Sequence, residues 1–343
     1  MEFKSIFSLD IKDWQDWLVE HKQPKFRAAQ IFDWLYKKRV SSIEEMSNLP
    51  KDLKASLSEN FDFTTLSERK KQVASDGTTK FLFELADGNL IETVIMRHNY
   101  GCSVCVTTQV GCRIGCKFCA STLSGLKRNL EAGEIVEQLL AIERDLGIRI
   151  SNIVFMGIGE PLDNYDNVME SIKILNNPKG LGIGARHISI STSGLVPKIY
   201  ELADRQMQCT LSVSLHSSNN KTRSEMMPIN NAYPIEELMK ACKYYIEKTN
   251  KRISFEYALA KDNNDNLDDA KKLVQLLKGM LAHVNLIPIN KIEDGKYTKS
   301  TNENIIRFRD YLNDHGIVAT IRRELGSDIS AACGQLRKQN LNK

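Results

Sequence analysis

Cysteine is where this 343-residue chain concentrates its chemistry. Of its eight cysteines, Cys102, Cys105, Cys112, Cys116 and Cys119 fall within eighteen residues, whereas Cys209, Cys242 and Cys333 stand apart. Cys112, Cys116 and Cys119 have the spacing Cys-x3-Cys-x2-Cys, with Phe118 before the last. Three thiolates on one short loop can hold three irons of a 4Fe–4S cube and leave the fourth iron open to a small molecule. A second pattern overlaps the first. Cys102-x2-Cys105 and Cys116-x2-Cys119 together match a four-thiolate structural zinc site. Zinc leaves Cys112 unused and places Cys105 both in a knuckle and in a predicted strand. Where thiols stay reduced, such a cluster reads as metal or redox chemistry, not as a disulfide framework.

The elements that must position this loop follow from the apolar pattern. Strands are predicted at 104–110, 153–156, 187–191, 210–215, 253–258 and 284–289, with a last strand-like run at 317–322. Helices are predicted between them at 133–146, 164–175, 235–247, 267–277 and 304–313. Alternation of this kind predicts an α/β fold with a parallel sheet. The series is somewhat short of the ~250 residues of a closed eight-fold barrel, so an incomplete (β/α)6 barrel and an open doubly wound sheet both fit. Sites in such folds form at the carboxyl ends of the strands. There the sequence has the cysteine loop, then Gly157-Ile158-Gly159-Glu160-Pro161, Ser191-Thr192-Ser193-Gly194, Ser214-Leu215-His216 and Asn290. Residues 1–71 read as a small helical domain. Residues 72–98 read as a short β extension whose strands, 80–85 and 90–96, flank an Asp87-Gly88 turn. Residues 99–343 would hold the barrel and a C-terminal segment carrying Cys333.

Composition sets the outer limits. The chain is 42% hydrophobic and 26% charged, an ordinary globular profile. No apolar run reaches the ~18 residues of a membrane span, and the first residues lack a signal-peptide apolar core. A cytoplasmic location with reduced thiols is therefore expected. The net charge of +4, from 47 Lys+Arg against 43 Asp+Glu, permits nucleic-acid binding without establishing it. Candidate phosphate contacts are Lys37, Lys38 and Arg39 beside Trp34 and Tyr36, the segment 291–299, and Arg322 and Arg323. A solvated surface role is the plainer reading of each alone.

Taken together, the strings CVTTQVGCRIGCKFCAST, MGIGEPLDN, STSGLVP, SLHS, VNLIPIN and GSDISAACGQLR, with FRAAQIFDWLY near the N-terminus, resemble the RlmN family of the radical S-adenosylmethionine superfamily. The resemblance covers nearly the whole chain. It implies a radical-SAM barrel and methylation of C2 of adenine in 23S rRNA (adenine 2503) and in tRNA (adenine 37). It implies Cys112, Cys116 and Cys119 as ligands of a 4Fe–4S cluster. It implies Gly159, Glu160, Ser191, Ser214, Leu215, His216 and Asn290 around S-adenosyl-L-methionine, two molecules being used per turnover. Cys333 would accept a methyl group from the first. The radical from the second would take hydrogen from that methyl, and the resulting carbon would add to the adenine. Glu92 would be the general base, and Cys105 would release the RNA by forming a disulfide with Cys333. A flavodoxin-like electron donor is implied as a partner, and nothing in the sequence demands an oligomer.

Two rival readings remain at this level. The sister Cfr-type enzymes methylate C8 and share the five functional cysteines; the Gly-Glu-Pro-Leu string, with Pro161, favours C2. A non-catalytic zinc RNA-binding protein is the rival of another class. Cys102 matches no family role, and its closeness to Cys105 in sequence predicts an off-pathway disulfide. Cys209 and Cys242 are expected in the core.

Overall fold

The computed structural model describes residues 4–290 and 296–336. In chain order its regular elements begin with β1 (Lys4–Ser5), α1 (Ile11–Glu20), α2 (Arg27–Phe32), α3 (Lys51–Asn60) and β2 (Phe61–Asp62). Then come β3 (Leu66–Val73), β4 (Thr79–Leu85), β5 (Leu90–His98), β6 (Gly101–Cys105), β7 (Gln109–Gly111) and β8 (Leu126–Asn129). The remainder alternates: α4 (Ala132–Leu146), β9 (Ile150–Phe155), α5 (Tyr165–Asn176), β10 (Ile188–Thr192), α6 (Val196–Asp204), β11 (Thr210–Ser214), α7 (Asn220–Met226), α8 (Ile235–Thr249), β12 (Ile253–Leu259), α9 (Leu267–Leu277), β13 (Ala282–Pro288), α10 (Asn302–Asp314) and β14 (Ala319–Ile321).

A ten-stranded sheet organises the molecule, in the order β14-β13-β12-β11-β10-β9-β6-β5-β4-β3. The strands from β6 through β9 to β14 run parallel. The expected α/β barrel strands are therefore present, in sequence order across the sheet. The β3-β4-β5 extension pairs antiparallel onto β6. The β4–β5 hairpin turns at Asp87-Gly88, where Gly88 has φ +76°.

Three local differences from the sequence reading have physical causes. Residues 66–71, read as part of the helical segment, belong to the edge strand β3. Its Ser-Glu-Arg-Lys-Lys run is exposed, and such charges blunt a sheet edge while hiding the strand pattern. The strand expected over 104–110 breaks after Cys105. Thr107 donates to and accepts from the Gln138 side chain (2.9 Å each), and Thr108 N donates to Ile158 O (2.9 Å), so the backbone leaves the sheet fully bonded. Helices α6 and α7 were not anticipated; Pro197 near the start of α6 reads as a breaker but is tolerated in a first turn.

One continuous core runs from Phe7 and Trp14 through the barrel to Phe308. The N-terminal helices are stitched to α4 by buried contacts. Gly133 N donates to Ser8 Oγ (3.1 Å), and a Cβ on Gly133 would lie 2.5 Å from both Ser5 Oγ and Ser8 Oγ. Thr65 donates to Glu137, and Arg39 Nε lies 2.9 Å from Glu143 Oε2.

Candidate active site

The cysteine loop is closed by the β7–β8 pairing, which brings Cys112 N within 3.2 Å of Gly125 O. Gly111 at the pinch has φ +80°, and a Cβ there would sit 1.8 Å from Gly125 O, so only glycine fits. Cys119 N donates to Cys116 O (3.2 Å), and Thr122 Oγ1 reaches the carbonyls of Cys116 (3.2 Å) and Cys119 (3.0 Å). Cys112, Cys116 and Cys119 all line one cleft at the carboxyl ends of the parallel strands. Burial pushes the Cys112 thiol up to about 12 and raises Cys116 and Cys119. Thiols so placed ionise when a metal supplies the positive charge.

The same cleft collects the glycines and polar groups predicted on the rim. Gly159, Glu160, Ser191, Ser214, His216 and Asn290 line it; Leu215 does not. The Leu215 side chain is fully buried in the core, and its carbonyl accepts from Arg223 Nε (3.1 Å). Gly159 has φ +107°, and a Cβ there would press on Gln109 at 2.7 Å. Glu160 accepts from Ser193 N and Ser193 Oγ (2.7 Å each) and from Leu162 N (3.1 Å). Burial still raises its carboxyl. His216, at φ +54°, accepts from Ala258 N at Nδ1 (2.9 Å), which assigns its proton to Nε2. Burial holds it neutral, down to about 3. It therefore makes a structural hydrogen bond and lines the cleft as well.

Cys333 sits at a junction. It is exposed and lines both this cleft and a second cavity that also contains Cys105. Its segment is pinned by Asn290 Nδ2 to Cys333 O (3.0 Å), Ala120 N to Gly334 O (2.7 Å) and Ser121 Oγ to Leu336 O (2.8 Å). More than 200 residues of sequence separation thus vanish at the cysteine loop. Burial and the neighbouring Cys333 push the Cys105 thiol up to about 12. Arg322 lines both cavities, with Nη1 3.4 Å from Glu256 Oε2 and Nη2 3.5 Å from Met156 Sδ. Despite burial it stays firmly cationic beside Cys333, Glu256 and Cys105.

Glu92 is fully buried on β5. It lies on the face that carries Val94, which stands opposite Cys105, but it does not line the second cavity. Lys80 Nζ lies 2.9 Å from Glu92 Oε1.

Cys102 and Cys105 point to opposite faces of β6. Cys102 packs on the main core, whereas Cys105 packs with Val94, Ile158, Ala331 and Leu336. Three strand steps put their Cα atoms ~10 Å apart, beyond the ~7 Å reach of a disulfide. The expected off-pathway disulfide is therefore excluded, and so is a zinc knuckle at Cys102-x2-Cys105. Among the described residues no three cysteine sulfurs lie within 4.8 Å of one another, as ligands of one tetrahedral zinc must. A soft, three-thiolate set spread around a cleft fits an iron–sulfur cube instead.

Sequence reasoning missed three residues that hold the site together. Arg223 is fully buried and donates to the strand-end carbonyls of Ser193 (2.8 Å), Ser214 (3.1 Å) and Leu215. Glu256, buried on β12, lines the cleft; a lone acid within the apolar run of β12 was its only signal. Lys80, at the start of the strand read over 80–85, is buried against Glu92 and donates to Ser330 O. Of the candidate phosphate contacts, Lys291 lies outside the described residues, and Arg322 lies inside the site.

The radical SAM superfamily model matches residues 106–277, and the ribosomal RNA large subunit methyltransferase N-terminal domain model matches residues 4–62. The chain is 59% identical over 337 residues to the probable dual-specificity RNA methyltransferase RlmN of Staphylococcus carnosus, covering 97% of this chain and 93% of that one. It is 57% identical over 336 residues, with the same coverage, to the protein of that name from Bacillus mycoides. The crystal structure of a radical SAM methyltransferase from Sphaerobacter thermophilus superimposes with a TM-score of 0.94 at 43% identity, over 98% of this chain and 100% of that one. The chain belongs to the RlmN family of radical SAM RNA methyltransferases.

Proposed function

We propose that this radical SAM RNA methyltransferase methylates C2 of adenine in two RNAs, 23S rRNA at adenine 2503 and tRNA at adenine 37, through Cys333. The observation that carries the reading is the position of Cys333, between the three-cysteine cleft and the cavity containing Cys105.

Cys112, Cys116 and Cys119 would hold a 4Fe–4S cluster, with S-adenosylmethionine in the cleft bounded by Gly159, Glu160, Ser191, Ser214 and His216. Bound there, the pair supplies one-electron cleavage of the sulfonium to a radical able to take hydrogen from a methyl group. Glu160, facing the cleft as a buried carboxylate, suits the methionine ammonium, and Gly159 lets the backbone approach closely. The Cys333 thiolate attacks the methyl carbon of a first S-adenosylmethionine, forming a methyl thioether and releasing S-adenosylhomocysteine, so two S-adenosylmethionine molecules are used per turnover. The methyl carbon then becomes bonded to C2 of the adenine, which has to leave its stack to reach the cavity. Glu92 would take the C2 proton as the adduct gives up one electron, for which the oxidised cluster would be the acceptor. Cys105 attacks the Cys333 sulfur, breaking its bond to the RNA-borne carbon, which keeps the electron pair and takes up a proton to become the methyl group. That step leaves a methylated base and a Cys105–Cys333 disulfide, which thiol exchange reduces. A flavodoxin-like donor provides the electron to a cytoplasmic monomer.

The test is mass spectrometry of nucleosides. Enzyme reconstituted anaerobically with iron and sulfide, then reduced, is given methyl-deuterated S-adenosylmethionine with unmodified rRNA and tRNA. Labelled 2-methyladenosine in both RNAs is expected. Labelled 8-methyladenosine would move the chain to the Cfr-type chemistry. Loss of all product with zinc in place of iron would end the radical reading.

A further inference from the structure

The second cavity has a feature the chemistry above does not use. Val94, Met96 and His98 alternate along one face of β5, opposite Cys105, Ser103 and Gly101 of β6. Cys105 is at the buried end of this row, and His98 is at the open end. Gly101, across from His98, has no side chain to cover the imidazole, and a Cβ there would lie 2.4 Å from Ser151 Oγ. The space is taken by Tyr100, whose ring stacks on His98 at 4.7 Å between centroids and 7° between planes. Tyr100 is nonetheless 73% exposed, the most exposed large hydrophobic side chain among the described residues. Both rings line the cavity that ends at Cys105 and Cys333, and Arg323 lines it too.

We propose that the stacked His98–Tyr100 pair is a platform for an RNA base next to the target adenine. This rests on the reading that the adenine reacts at Cys333. Arg322, Arg323 and Glu324 line the cavity, and Glu324 is paired with Lys299 at 2.7 Å, so the two arginines leave a cationic wall. An exposed π face at the mouth of such a cavity is the arrangement by which proteins hold splayed single-stranded bases. A protein or lipid partner has no need of a flat two-ring stack leading to two reactive thiols. Four strand steps, ~13 Å, separate Gly101 from Cys105. The platform is thus too far from the reacting carbon to take the target base and is placed for a flanking one. The tyrosine hydroxyl is not required, so any large aromatic side chain serves.

The test uses the reconstituted holoenzyme and an unmodified tRNA anticodon stem-loop. Filter-binding affinity is measured without S-adenosylmethionine or reductant. Steady-state kinetics and the mass of the Cys333 peptide after incubation with S-adenosylmethionine are measured separately. Tyr100→Ala is expected to weaken RNA binding about tenfold and to raise KM with kcat nearly unchanged. Tyr100→Phe and Tyr100→Trp should bind like wild type, and methylation of Cys333 should be the same in all four proteins. Wild-type affinity in both Tyr100→Ala and the His98→Ala/Tyr100→Ala double variant would overturn the platform. Unchanged RNA binding with slower cluster reduction by flavodoxin would overturn it in favour of a donor-docking face. Weakened binding in an enzyme whose wild type makes no 2-methyladenosine would leave the platform standing and remove the C2 reading instead.

Discussion

Lys80 and Glu92 form a buried ion pair, Nζ to Oε1 2.9 Å, across adjacent strands of the β extension, with each side chain 1% exposed. The same ammonium donates to Ser330 O (3.2 Å), three residues before Cys333. The proposed base and the loop of the proposed methyl carrier are therefore anchored to one charge. Removing one partner of a buried pair leaves the other charge in a poor solvent, which costs about 3–5 kcal/mol. Lys80→Met should lower unfolding free energy by that amount in urea titrations. Adding Glu92→Leu should recover most of it, because the stranded charge is gone. Additive losses in the double variant would show that the two groups are not coupled.

In the proposed reaction Cys105 and Cys333 have different tasks, so their variants should fail at different points. Cys333→Ala should give no RNA product and no methylated enzyme peptide. Cys105→Ala should still methylate Cys333 and then stall with RNA attached. On a denaturing gel the stalled species would run as a protein–RNA band sensitive to ribonuclease.

His216 gives a pH signature of known sign. Burial holds it neutral down to about 3, against ~6.5 in the unfolded chain. Below pH 6.5 the unfolded state binds a proton that the folded state refuses, so stability falls as pH falls. Between pH 6.5 and 5 the loss is about 2 kcal/mol. Urea unfolding at the two pH values should show that loss in wild type and a smaller one in His216→Gln.

Cys209 and Cys242 act at the other end of the scale. Burial pushes their thiols up to about 11 and about 12. The folded chain keeps protons that the unfolded chain releases, so their contribution is complete below pH ~8.5 and declines as pH rises above it. At pH 10 each thiol should cost about 1–2 kcal/mol. The Cys209→Ala/Cys242→Ala variant should show a shallower alkaline decline in denaturant midpoint than wild type.

Arg223 ties three strand-end carbonyls into one rim. Lysine cannot reproduce that fork. Arg223→Lys should weaken S-adenosylmethionine binding in equilibrium dialysis at least tenfold and lower stability by about 3 kcal/mol. Unchanged affinity with lowered stability would confine Arg223 to folding.

Much of this protein was legible in its sequence because the signals are local. The Cys-x3-Cys-x2-Cys loop, the glycines at 157 and 159 and the alternation of strand and helix each depend on neighbours a few residues away. The parallel strands came out close to their predicted places because buried strands must be apolar. Where side chains did something unusual, the local pattern said less. The side chain of Leu215, named for the rim through the family resemblance, lies in the core, while its carbonyl accepts from Arg223. The strand after Cys105 ended early because Gln138, far along the chain, offered its backbone better bonds. Edge strand β3 carried charges that mask alternation.

The sequence by itself determined the chemistry available: three thiolates on one loop, a glycine-rich rim, and a distant cysteine in a small-residue segment. Only the tertiary structure decided which groups meet. It put Cys102 and Cys105 on opposite faces, since side chains alternate along a strand, and so excluded both the zinc pairing and their disulfide. It brought Cys333 to the mouth of two cavities through hydrogen bonds to Ala120, Ser121 and Asn290. It buried Lys80 against Glu92, because a charge inside a sheet is tolerated only beside its opposite. Such contacts link residues tens to hundreds of positions apart, and no local pattern encodes them.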